Sequence, residues 1–217
     1  MRILIDMDEI AADLLAEWLK RYNTQWEDNL LRANVTDWDI HKFVRPECGK
    51  KVYGILHEPD LFADLDPFPG VVEAVTSFVE SGYDVRFCTA APSQSSMTPK
   101  ANWVKRHFGH LDFGMSNIIT MADKVWLAPS VDVLVDDKPR TVKEWRAYAD
   151  NHHTGEHSPR ILAISHPYNQ MVRDEAHLFA EDYLNTEQAW SQIAEYIHDL
   201  AWDRRGNKRP VLAADDH

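Results

Sequence analysis

The chain has 217 residues, 44% of them hydrophobic, and a formal net charge of −12. Length and apolar share suit one α/β domain with a small insertion, and the acidic balance argues against long polyanions such as duplex nucleic acid. A small phosphorylated ligand remains compatible, because a metal ion and one lysine set a local field of their own.

Arg2-Ile3-Leu4-Ile5 reads as a short buried strand, closed by Asp6-Met7-Asp8. Carboxylates at i and i+2 point to the same face of a strand and raise each other's cost there. A divalent cation removes that cost, which suggests a metal-assisted site with one carboxylate free to act as nucleophile. The plain alternative is that the pair caps a helix beginning at Glu9.

Ile10, Leu14, Leu15, Trp18, Leu19 and Tyr22 then fall on one helical face. Residues from about 24 to 66 are polar, contain tryptophan and lack strand pattern, so they read as a small, mostly helical insertion. Asp66-Pro67-Phe68-Pro69-Gly70 is a turn. A helix through Val71, Val72, Val75, Phe78 and Val79 follows and stops at Gly82. The next strand, Val85-Arg86-Phe87-Cys88, ends at Thr89. Thr98-Pro99 predicts an N-cap and a first helical proline, with Trp103, Val104 and Phe108 packing one side and Gly109 ending the helix.

Asn117-Ile118-Ile119-Thr120 is followed by Asp123-Lys124, and Val131 to Val135 by Asp136-Asp137. A fifth strand is expected from Ile161 to Ser165, and a last helix opened by Asn185 with Gln188. Strands alternating with helices imply a mainly parallel, right-handed sheet. In such sheets ligands bind outside the carboxyl ends of strands, where these polar marks fall. Thr89 alone would be a turn residue, Lys124 a solvated lysine and Asp136-Asp137 a strand-end turn. His152, His153 and His157 read as a solvated loop, since no cysteine or carboxylate pattern accompanies them.

The order Asp-x-Asp, Thr, Lys, Asp-Asp resembles the haloacid dehalogenase-like phosphohydrolases. Within them the match sharpens toward the 5′(3′)-deoxyribonucleotidases. It is carried by the segment Asp64 to Val75, Phe87-Cys88-Thr89 with Pro92, Trp103-Val104 with Phe108-Gly109, Ile118 to Lys124, Leu134 to Pro139 and Pro167-Tyr168-Asn169. The resemblance implies a Rossmann-like parallel sheet flanked by helices, with a small helical cap inserted after the first strand. Its core is expected over residues 1–16 and 67–202, the cap over 17–66 and a charged, mobile tail over 203–217.

It also implies roles. Asp6 would attack phosphorus, and Asp8 would protonate the leaving oxygen and then assist water. Mg²⁺ would be held by Asp6, the Asp8 carbonyl and Asp136, with Asp137 behind them. Thr89, Ala90 and Lys124 would hold the phosphoryl group. Ala90 stands where many relatives have serine, so one hydroxyl contact is missing or comes from Ser93 or a backbone amide. Glu9 stands where the family usually has glycine.

Trp38, in Thr36-Asp37-Trp38-Asp39-Ile40, resembles an aromatic position of the cap that could stack on a base; packing is the equal alternative. The expected substrate is a nucleoside 5′- or 3′-monophosphate. Another small phosphorylated metabolite is the runner-up, and a catalytically idle binding or regulatory relative is the contrasting class. A homodimer is among the assemblies compatible with this reading. Cys48 and Cys88 suit free thiols in a reducing, cytoplasmic setting; no signal peptide and no membrane-spanning run are read.

Overall fold

A computed structural model describes residues 1–58, 60–63, 65–91, 96–152, 158–180 and 183–206. Asp64, Pro92, Ser93, His153, His157 and the tail beyond residue 206 lie outside the described residues. Six parallel strands, β1 (Arg2–Ile5), β2 (Asp84–Thr89), β3 (Ile118–Thr120), β4 (Val133–Val135), β5 (Arg160–Ile164) and β6 (Leu178–Ala180), form one sheet in the order β3-β2-β1-β4-β5-β6. The α-helices among the described residues are α1 (Leu14–Trp26), α2 (Val71–Glu80), α3 (Met97–Phe108), α4 (Pro139–His152) and α5 (Thr186–Arg204).

The strand period of two sorts the core. Ile3, Ile5, Val85, Phe87, Val133 and Val135 point to a face covered by α2, α3 and α5. Leu4, Cys88, Leu134, Ile161 and Ala163 point to the other, covered by α4. Burial on both faces at the centre of the sheet explains why β1, β4 and β5 are continuous apolar runs, whereas β2 keeps Arg86 exposed and the edge strand β3 is only partly buried. Each fully buried large side chain contributes roughly 1.5–3 kcal/mol of transfer free energy, and Phe87, Trp103 and Phe108 form an aromatic set within it.

Several element ends differ from expectation. Helix α1 starts at Leu14, not near Ile10, because Asp13 caps it by accepting the Ala16 amide at 3.1 Å. Ile10, Ala11 and Ala12 are buried in the preceding turn. The expected cap boundary between residues 16 and 17 therefore falls inside α1. Helix α3 begins at Met97, ahead of Thr98-Pro99. Strand β4 starts only at Val133: the Asp132 carboxylate accepts the Arg2 amide at 2.7 Å and pairs with Arg204 of α5. Strand β6 was not foreseen.

The segment between β1 and α2, where the insertion is expected, forms α1 followed by 3-10 stretches at Arg32–Asn34, Ile40–Lys42 and Gly49–His57. Its two connections to the core run side by side. Asp13 N donates to Asp66 O at 3.0 Å, Phe68 N donates to Ala11 O at 2.9 Å, and Ala12 bridges Pro67. Gly70, just beyond, has φ +89°, and a Cβ there would lie 2.9 Å from Glu187 Cα of α5. Only glycine suits both that backbone and that approach.

Candidate active site

The switch point of the sheet lies between β1 and β4, where the strand order reverses direction. Asp6 leaves β1 with its amide donating to Val135 O at 2.9 Å, and Asp136 leaves β4 donating to Leu162 O at 3.0 Å. Thr89 is the last residue of β2, and Lys124 follows β3. Four neighbouring strand ends thus deliver Asp6, Asp8, Thr89, Lys124 and Asp136-Asp137 to one crevice.

Lys124 Nζ lies 2.7 Å from Asp6 Oδ1 and 2.6 Å from Asp136 Oδ2. Burial alone would lower its pKa, but Asp136 and Asp6 hold the ammonium above its ordinary value. The remaining oxygen of Asp136 accepts the Lys138 amide at 2.9 Å. Asp137 is fully buried; its Oδ2 accepts the Tyr168 hydroxyl at 2.5 Å, whereas its Oδ1 has no partner. Burial raises the pKa of both Asp136 and Asp137, and Asp6 adds to this.

Asp6, Asp136 and Asp137 each bring a carboxylate oxygen within 4.8 Å of the others. Three buried carboxylates against one ammonium leave negative charge in excess, and Asp137 Oδ1 is orphaned. An all-oxygen set of this kind fits a hard divalent cation. Asp136 was expected to face the ion with Asp137 behind it. In the structure both oxygens of Asp136 are engaged, and Asp137 has the free one.

Lys100, which no sequence motif marks, is 2% exposed. Its Nζ donates to Asp8 Oδ2 and Thr89 Oγ1, both at 2.7 Å, and to Ala90 O at 3.1 Å, and it sits 4.5 Å from the Phe62 ring centroid. Burial, with help from Asp6, raises the Asp8 carboxyl against the opposing pull of Lys100. The signal was present: Lys100, Trp103 and Val104 share the i, i+3, i+4 face that α3 buries. Arg32, also unremarked in the sequence, pairs with Glu9 and Asp13. Burial pushes the Glu9 carboxyl up to about 7, with Arg32 opposing the rise.

A cavity of about 440 Å³ opens above these groups. Asp6, Asp8, Ala90, Lys124 and Asp137 form its floor, and Leu14, Trp18, Ile40, Tyr53 and Phe62 supply apolar walls from the insertion. Trp38 lines it too. Trp38 is 46% exposed, lies edge-on to Tyr168 at 5.6 Å, and has Lys138 Nζ 5.8 Å from its ring centroid. His152 lies away from the site's floor, ending α4 and stacked on Tyr148.

Residues 1–188 match the family described as 5′ nucleotidase, deoxy (pyrimidine), cytosolic type C protein. The chain belongs to this cytosolic type C nucleotidase family. Among its relatives, a 5′(3′)-deoxyribonucleotidase from Clostridium acetobutylicum is 34% identical over 152 residues, 69% of this chain and 81% of that one. A mitochondrial 5′(3′)-deoxyribonucleotidase from Mus musculus is 30% identical over 194 residues, 84% of this chain and 83% of that one. In fold, the nucleotidase resembles a haloacid dehalogenase-like protein from Agrobacterium tumefaciens, with a TM-score of 0.56 at 14% identity over 92% of this chain and 98% of that one. It resembles a HAD family hydrolase from Deinococcus radiodurans, with bound phosphate and sodium, at a TM-score of 0.53 and 10% identity over 92% and 96%. The parallel sheet flanked by helices is thus the expected HAD-like core. No helix among the described residues is long and apolar enough to cross a membrane.

Proposed function

We propose that this chain is a Mg²⁺-dependent phosphomonoesterase acting on nucleoside 5′- or 3′-monophosphates, deoxy forms included. The observation that carries this reading is the pairing of two buried lysines, Lys100 and Lys124, with the carboxylates that follow the adjacent strands β1 and β4, beneath an apolar cavity. The floor supplies charge for one phosphoryl group, and the walls supply a surface for a flat base. Two buried free thiols, Cys48 and Cys88, support a reducing, cytoplasmic setting.

Asp6 acts as nucleophile. Its Oδ1 accepts the Met7 amide at 2.8 Å and lies 2.7 Å from Lys124 Nζ, and the attack is assigned to Oδ2. The P–O bond to the sugar oxygen breaks as an aspartyl-phosphate forms. Asp8, whose carboxyl is raised by burial, gives its proton to that oxygen. It then takes a proton from the water that hydrolyses the intermediate, which frees Asp6. Thr89 donates its hydroxyl to a phosphoryl oxygen, and Lys124 offsets charge on the phosphoryl group and Asp6.

Asp6, the Asp8 backbone carbonyl and Asp137 would hold Mg²⁺, with Asp136 fixed beside them by Lys124 and Lys138. When bound, the ion supplies positive charge opposite the phosphoryl oxygens. Phosphate release over a panel of nucleoside monophosphates and sugar phosphates with Mg²⁺ tests the proposal. Turnover confined to sugar phosphates would move the substrate class, and no turnover of any ester would leave a binding module.

A further inference from the structure

Glu9 occupies the turn between Asp8 and α1 at φ +60°, in the left-handed region that favours glycine. Its side chain is nevertheless buried and fully engaged. Oε1 accepts the Leu15 amide at 2.5 Å, and Oε2 accepts Arg32 Nη1 at 2.5 Å. The Glu9 carbonyl meets His166 Nε2 at 2.9 Å. A side chain held in a strained backbone, with every polar group used, points to a positional demand that outweighs local comfort.

That demand is visible in where Arg32 comes from. It belongs to the insertion, yet its other nitrogen reaches Asp13 at the head of α1. Its guanidinium lies 5.6 Å from the Phe68 ring centroid and 5.8 Å from that of Tyr183. Phe68 is on the return connection and Tyr183 follows β6. One insertion side chain therefore grips both sides of the connection and the core behind it. Val35 and Trp38, a few residues further on, line the cavity. Their second anchor is Trp38 on Tyr168, and Tyr168 is stacked on His166 at 5.0 Å and 8°. The two grips thus meet in the core at His166.

We infer that Glu9 and Arg32 form a latch that fixes the insertion over the cavity, making them positioning residues for nucleotide selection. The selection part rests on the proposed nucleotidase reading; the latch does not. An aperture set by this pair governs KM for a substrate long enough to touch the insertion. A compact aryl ester depends on it less.

Glu9→Gly removes the carboxylate while suiting φ +60°, so it retains the fold; Arg32→Ala removes the other half. Spin labels on Lys50→Cys of the insertion and Lys143→Cys of α4, both exposed positions, report the opening, since native Cys48 and Cys88 are buried. The unlatched forms are expected to broaden the label distance toward longer values. The ratio of KM for a nucleoside monophosphate to KM for p-nitrophenyl phosphate is expected to rise about tenfold. A distance distribution identical to wild type in Glu9→Gly overturns the latch, whatever Arg32→Ala does. Equal rises in both KM values, with the distances broadened, overturn the role in selection. A parent protein that turns over no nucleotide removes the substrate reading, and the distances still decide the latch.

Discussion

Lys100 Nζ lies 2.7 Å from Asp8 Oδ2, and the same nitrogen holds Thr89. The proposed acid is therefore oriented by a lysine from α3. Lys100→Met is expected to lower kcat on nucleotides by about 100-fold, roughly 2.7 kcal/mol. p-Nitrophenyl phosphate, whose leaving oxygen needs little protonation, is expected to lose about tenfold less. Equal losses on the two esters would place Lys100 on the phosphoryl group rather than on acid catalysis.

Asp6→Asn is expected to abolish turnover with the circular-dichroism spectrum and melting temperature preserved. A neutral amide is a poor nucleophile at phosphorus. Residual activity above a few per cent, roughly a 2 kcal/mol change in barrier, would remove Asp6 from that role.

The assignment of the ion to Asp137 has its own test. Binding to the folded state raises the melting temperature by mass action, so Mg²⁺ is expected to stabilise the parent protein in a concentration-dependent way. Asp137→Asn is expected to raise the Mg²⁺ concentration needed by at least tenfold, in melting and in turnover alike. If Asp136→Asn alone does this, the ion belongs on Asp136, as first expected from sequence.

Trp38→Ala is expected to weaken nucleotide turnover by one to two orders of magnitude, in line with roughly 1–3 kcal/mol of stacking on a base. The effect on p-nitrophenyl phosphate is expected to be slight. A matching loss on both would assign Trp38 to packing against Tyr168.

Burial pushes the Cys88 thiol up to about 12. Below that value the neutral thiol is favoured, so at pH 8 only about one part in 10⁴ is thiolate, the reactive form. Alkylation of Cys88 by iodoacetamide is expected to wait for unfolding. Prompt labelling of the native protein, located by mass spectrometry, would contradict a closed core beneath the site.

Strands β1 and β4 were legible because burial on both faces leaves unbroken apolar runs with a polar residue at each end; β2, interrupted by exposed Arg86, and the partly buried edge strand β3 were legible from the apolar residues just before Thr89 and Thr120. Asp6, Asp8, Thr89, Lys124 and Asp136-Asp137 announce themselves by that abrupt change. Strand β6 was not legible, since Leu178-Phe179-Ala180 has no pattern of its own and is ordered by pairing with β5. Lys100 and Arg32 were hidden for another reason: a charged side chain looks solvated until the fold closes around it. The choice between Asp136 and Asp137 depends on which oxygen Lys124, Lys138 and Tyr168 leave free, and no spacing encodes that.

The paired connections at Ala11–Asp13 and 66–68 have an evolutionary consequence. The whole insertion enters and leaves through one narrow, hydrogen-bonded doorway, so lengthening or exchanging it need not disturb the register of any strand. Mutation can thus rewrite the lid residue by residue, or swap it as a cassette, while the reactive floor is inherited intact.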